Sequence, residues 1–145
     1  VNSVARIAAV TTLMLLSGIC ANAQQRVVLV VAADSPIDSI TVFEARKLYL
    51  GIDVLKQGNF LRPLRNVSSA DVEQIFLQSV IGLTKAHYER RLLRNLLRLG
   101  SVRPQEFEDL DILGEELARD KFSVTYAFDD GRLQGVKVLR ILWQE

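Results

Sequence analysis

Arg65, Ser68 and Ser69 are the residues whose types and spacing best fit binding chemistry. The stretch Arg65-Asn66-Val67-Ser68-Ser69-Ala70 reads as a strand end running into a helix start. Backbone N–H groups at such a start lack partners and carry the positive end of the helix dipole, so an anion is stabilised there. A guanidinium and two hydroxyls would add donors. The same serines are also ordinary N-caps, whose side-chain oxygen accepts from the first helical turn. Both uses stay open. The turn Ala33-Asp34-Ser35 is a weaker relative, because the Asp34 carboxylate repels an anion unless it hydrogen-bonds to a protonated oxygen.

A second set lies on the stretch from Lys85 to Leu99. His87, Arg91, Arg94 and Arg98 follow at spacings of four, three and four, which puts them on one helical face. Tyr88, Leu92, Leu96 and Leu99 form an apolar stripe on the other side, widened by Leu93 and Leu97. Two uses fit the arginines. They are a solvated face paired with the acidic stretch from Glu106 to Glu116, or a basic surface for an anionic ligand, a lipid headgroup or an acidic partner. Arginine suits the second because its planar fork pairs bidentately with phosphate or carboxylate.

Enzyme chemistry finds no such support. His87 is the only histidine, and no Asp, Ser or Cys can be placed beside it. No cluster has metal-ligand spacing, and no cofactor is called for. The expectation is a protein that is not an enzyme, with no metal site.

These residues need elements to hold them. Residues 1–23 have the layout of a cleavable secretory signal. Arg6 is followed by an apolar run from Ile7 to Leu16 and by Ala21-Asn22-Ala23 before the cut. The run is well short of the ~20 residues a membrane-crossing helix needs. The only cysteine, Cys20, would leave with the signal, taking disulfide and thiolate chemistry with it. The expected working protein is a single periplasmic domain, residues 24–145, with no stable membrane insertion after signal removal. Without Arg6 its basic and acidic side chains balance, which gives no support for nucleic-acid binding.

Within that domain, Arg26 to Ala33 is a Val-rich run expected as a strand buried on both faces. Thr41 and Glu44 form a capping box for a helix to about Leu50, closed by Gly51. Phe60 to Arg65 is a short strand, and Pro63 argues for an edge or a bulge. Helices are expected over Ala70–Val80, over Lys85–Leu99 to Gly100, and around Phe107–Arg119. Strands follow over Phe122–Phe128 and Val136–Trp143. The order β-α-β-α-α-α-β-β predicts an α/β fold, a small mixed sheet covered by helices, with a parallel pair from the first βαβ unit.

Short motifs along this order carry a family resemblance. They are the Val27 to Ala33 strand, Ser35-Pro36, Ser39-Ile40-Thr41, Leu48-Tyr49-Leu50-Gly51, Gly58 and Pro63-Leu64-Arg65. Ser68-Ser69-Ala70, Thr125-Tyr126-Ala127 and Val136-Lys137-Val138-Leu139 complete the set. Together they resemble the short periplasmic relatives of phosphate-transporter substrate-binding proteins. The resemblance implies one lobe of a periplasmic binding protein, and an anion loop at Ser68-Ser69-Ala70. It implies binding of phosphate or a related small anion through Arg65, Ser68 and Ser69, with Ser35 opposite. A single lobe supplies half a cleft, so a deep dry pocket would need two copies facing each other. The alternative is an envelope protein–protein interaction module that keeps the fold without the ligand.

Overall fold

The computed structural model describes residues 24–145. The segment read as an export signal, residues 1–23, lies outside the described residues. Seven strands and four α-helices follow in the order β1 (Arg26–Ala32), α1 (Val42–Tyr49), β2 (Leu55–Lys56), β3 (Asn59–Phe60), β4 (Arg62–Asn66), α2 (Ala70–Phe76), α3 (Lys85–Leu99), β5 (Gln105–Phe107), α4 (Leu110–Arg119), β6 (Ser123–Phe128) and β7 (Val136–Gln144). A π-helical turn, Leu77–Ile81, extends α2 toward Gly82.

Five strands make one mixed sheet in the order β5-β4-β6-β1-β7. The parallel pairs are β4 with β5 and β4 with β6. β1 runs antiparallel to both of its neighbours, β6 and β7. The parallel pair expected from the first βαβ unit is therefore not formed. β6 inserts between β1 and β4 and reverses the sense across that unit. Pro63 is not on an edge strand either. β5 joins β4 only from Leu64 onward, so Pro63 pairs with β6 alone, opposite Val124, and keeps an edge-like position within a central strand.

The alternation of side chains along β1 divides the core. Val27, Leu29 and Val31 face one layer with residues of α1, α2, the π turn and α3. Val28 and Val30 face the other, with Leu113 and Leu117 of α4. The result is a sheet covered on both faces, which is why β1 reads as an unbroken apolar run. Tyr49, Phe76 and Tyr126 lock the larger layer. The Phe76 and Tyr126 rings stack at 3.7 Å, and Tyr49 meets Phe76 edge-on at 4.7 Å.

Helix ends follow local chemistry. Thr41 and Glu44 form both bonds of the capping box, at 3.1 and 2.8 Å. Gly51, at φ +85°, takes the left-handed position that ends α1. The Asp109 carboxylate accepts from the backbone N–H groups of Asp111 and Ile112 and starts α4. The helix expected from about Phe107 thus begins three residues later. Phe107 itself belongs to β5, pairs with Asn66 and is buried against the α4 layer.

Candidate functional site

Arg65 lies in β4 on the face covered by α2 and α3, and it is 1 % exposed. Burying a guanidinium costs several kcal/mol unless its charge and its N–H groups find partners. The sequence supplies three carboxylates. Arg65 Nη2 donates to Glu73 Oε1 of α2 at 2.7 Å. Nη1 donates to Glu89 Oε1 of α3 at 2.9 Å and to Glu106 Oε1 of β5 at 2.6 Å. The Tyr88 ring lies 4.9 Å from the guanidinium carbon and adds a cation–π contact.

Two more cations close the network. Lys85 Nζ lies 2.9 Å from Glu73 Oε2, and Arg103 pairs with the remaining oxygen of Glu89. Arg65, Lys85 and Arg103 therefore balance Glu73, Glu89 and Glu106. Burial alone would lower the Arg65 pKa. The hydrogen bond to Glu89 and the charges of Glu106 and Glu89 more than offset this, so its pKa is raised above the ordinary value. Arg65 Nε is buried without a partner.

Ser68 and Ser69 stand just beyond β4, at the carboxyl ends of the parallel strands, where open α/β sheets place ligands. The donors of Ser68 are already used. The Asn66 side-chain oxygen accepts from both the backbone N–H and the hydroxyl of Ser68, at 3.1 and 2.6 Å. The Ser69 hydroxyl accepts from the Val72 N–H at 3.2 Å, as an N-cap does. Both serines line a crevice of about 290 Å³ with Asp71, Asp130 and Arg132, so its charged walls are more acidic than basic.

Ser35 is elsewhere. Its hydroxyl donates to the Lys121 carbonyl at 2.5 Å and accepts from the Ile37 N–H, at the end of the sheet where β6 begins. Since β1 runs antiparallel to β6, and β6 parallel to β4, that end is opposite to Ser68 and Ser69. The structure thus places Ser68 and Ser69 together at the turn after β4, holds the Arg65 side chain among its carboxylates outside the lining of their crevice, and leaves Ser35 apart.

The partners of Arg65 were not singled out in the sequence, although one signal was present. Glu73 falls between Val72 and Phe76, both buried, so an acid sits on an inward face. A buried carboxylate requires a cation opposite it. Glu106 leaves no such trace, because its position is set by the register Arg65↔Glu106 across β4 and β5.

The α3 arginines are also placed. Among the described residues, none of Arg90, Arg91, Arg94 and Arg98 has a carboxylate within 4.0 Å. Pairing with the stretch Glu106–Glu116 is taken up instead by Arg65, which holds Glu106, and by Arg62, which holds Glu116 at 2.6 Å. Among the described residues no group of three or more His, Cys, Asp or Glu is placed to hold a metal ion. No helix among them is long and apolar enough to cross a membrane.

Neither a family model nor a curated protein sequence matches the chain. Solved structures do. An ABC-type phosphate transport receptor from Vibrio cholerae matches with a TM-score of 0.58 at 15% identity, over 81% of this chain and 46% of that one. A putative phosphate ABC transporter substrate-binding protein with bound phosphate, from Clostridium perfringens, matches with a TM-score of 0.59 at 11% identity, over 81% and 45%. PstS from Borrelia burgdorferi matches with a TM-score of 0.55 at 14% identity, over 80% and 47%. The chain spans about half the length of these structures, and at such identities the likeness is one of fold. It has the α/β fold of one lobe of a phosphate-receptor-type binding protein.

Proposed function

We propose that this chain is a non-enzymatic, exported interaction module that keeps the fold of a binding-protein lobe without using Arg65 to hold an anion. The observation that carries the reading is the Arg65 arrangement. Both terminal nitrogens of its guanidinium are engaged by carboxylates, one of them 7 % exposed. A phosphate dianion brought to this position would meet three negative groups and would have to displace at least one. Displacing Glu73 would leave a buried carboxylate with Lys85 as its only cation, an expensive exchange. The Ser68 donors are likewise satisfied by Asn66. The outer surface is available for recognition, and there the arginines of α3 stand without acidic partners among the described residues.

The fold likeness to phosphate receptors favours a second reading, in which phosphate or a similar small anion binds at Ser68 and Ser69 with help from Arg65. Ser35, at the far end of the sheet, would join only from a second copy. Calorimetric titration of the full chain with phosphate and sulfate separates the two. The interaction reading expects no saturable heat. Saturable heat that Arg65→Ala abolishes would sink it and favour the second.

A further inference from the structure

The outer face of α3 carries two exposed stripes side by side. Leu93 and Leu97 lie one turn apart, and Leu97 is 77 % exposed. Arg90 and Arg94 lie one turn apart on the neighbouring stripe, with Arg91 and Arg98 beyond them. The core-facing side of the helix is a third, separate arc held by Tyr88 and Leu92. Apart from this stripe, Leu99 at the end of the helix and Val102 just after it are also exposed, Val102 at 83 %. Packing within the chain explains neither stripe. Tyr88 and Leu92 already anchor the helix, and the arginines have no carboxylate within ion-pair distance among the described residues.

We propose that this face docks the protein on an anionic lipid surface. The proposal deepens the interaction reading above and rests on it. Leucines bordered by arginines fit the headgroup boundary. The aliphatic side chains enter the acyl region, while the guanidiniums extend along it to pair bidentately with lipid phosphates. The residue types favour lipid over a protein partner. Protein hot spots are rich in Trp, Tyr and Arg and poor in Leu and Val, so the arginines fit either partner, whereas the exposed apolar residues here are Leu93, Leu96, Leu97, Leu99 and Val102, none of them aromatic.

The test uses the full chain and vesicles of two compositions, phosphatidylcholine alone and an equal mixture with phosphatidylglycerol, with co-sedimentation as the readout. The residue 1–23 segment is common to every variant, so differences between variants report on α3. The parent is expected to sediment with the mixed vesicles. Arg90→Glu/Arg94→Glu weakens that binding by about tenfold or more, an effect that shrinks at high salt. Leu93→Ser/Leu97→Ser weakens it at low and high salt alike. All four side chains are exposed, so circular dichroism of the variants should superimpose on the parent. Equal binding to both vesicle types, or parent-like binding by both double variants, overturns the proposal. Binding to poly-glutamate with none to either vesicle overturns it in favour of an acidic protein partner. The phosphate titration is a separate readout, so loss of the lipid assignment and loss of the interaction reading are told apart.

Discussion

Arg65 and Glu106 face each other in register across the parallel strands β4 and β5, and the guanidinium Nη1 lies 2.6 Å from the carboxylate. Glu73 from α2 and Glu89 from α3 reach the same guanidinium, so two helices and two strands of the sheet converge on one charge. That convergence makes Arg65 a structural cation first.

Removing that cation should be costly. Arg65→Met leaves Glu73 buried with Lys85 alone, and breaking a buried pair this way costs about 3 kcal/mol. Adding Glu73→Gln should return at least about 1 kcal/mol, since the uncompensated charge is gone. Urea unfolding of the parent, the single variant and the double variant measures both. A loss below about 1 kcal/mol for Arg65→Met would mean the pair behaves as an exposed one.

The capping box offers a local test. Thr41→Ala removes the oxygen that accepts from the Glu44 N–H at the start of α1. The expected cost is about 1 kcal/mol in the same urea assay. Thr41→Ser, which keeps the acceptor, should lose much less.

Alkaline pH should unfold the protein through its tyrosines. Burial is the leading cause that raises the pKa of Tyr49, Tyr88 and Tyr126 above a tyrosine's ordinary value of 10.0, and these are the three tyrosines of the chain. In each case the folded value exceeds the unfolded one. Their contribution to stability is thus fully present below about pH 10 and is lost as pH rises beyond it. Tyrosinate absorbance should therefore rise together with the loss of far-ultraviolet circular dichroism. Ionisation near pH 10 with the fold intact would show that at least one ring reaches solvent.

The parts of this fold set by neighbours in sequence were legible in the sequence. The apolar run of β1, the Thr41–Glu44 box, the end of α1 at Gly51 and the end of α3 before Gly100 are decided within a turn or two. The parts set by partners in space were not. β5 has three residues, Gln105–Phe107, and nothing local distinguishes it from the approach to α4; its strand character comes from β4. The β2–β3 hairpin is two residues a side, turning on Gln57 and Gly58 at positive φ, too short to carry a strand period of its own. Strand order was hidden for the same reason, since β1 pairs with strands that lie at the other end of the chain. At the site, the strand-to-helix turn of Arg65, Ser68 and Ser69 was visible as a pattern. The carboxylates that meet Arg65 come from positions 73, 89 and 106, and only folding brings them together.

The most direct measurement is equilibrium dialysis of radiolabelled phosphate against the parent chain and against Glu89→Gln/Glu106→Gln, which strips both carboxylates from Arg65 Nη1. If the guanidinium is neutralised from within, the parent retains no phosphate at about 1 mM and the double variant gains measurable retention. A parent that retains phosphate at that concentration, and loses it on Arg65→Ala, contradicts the account.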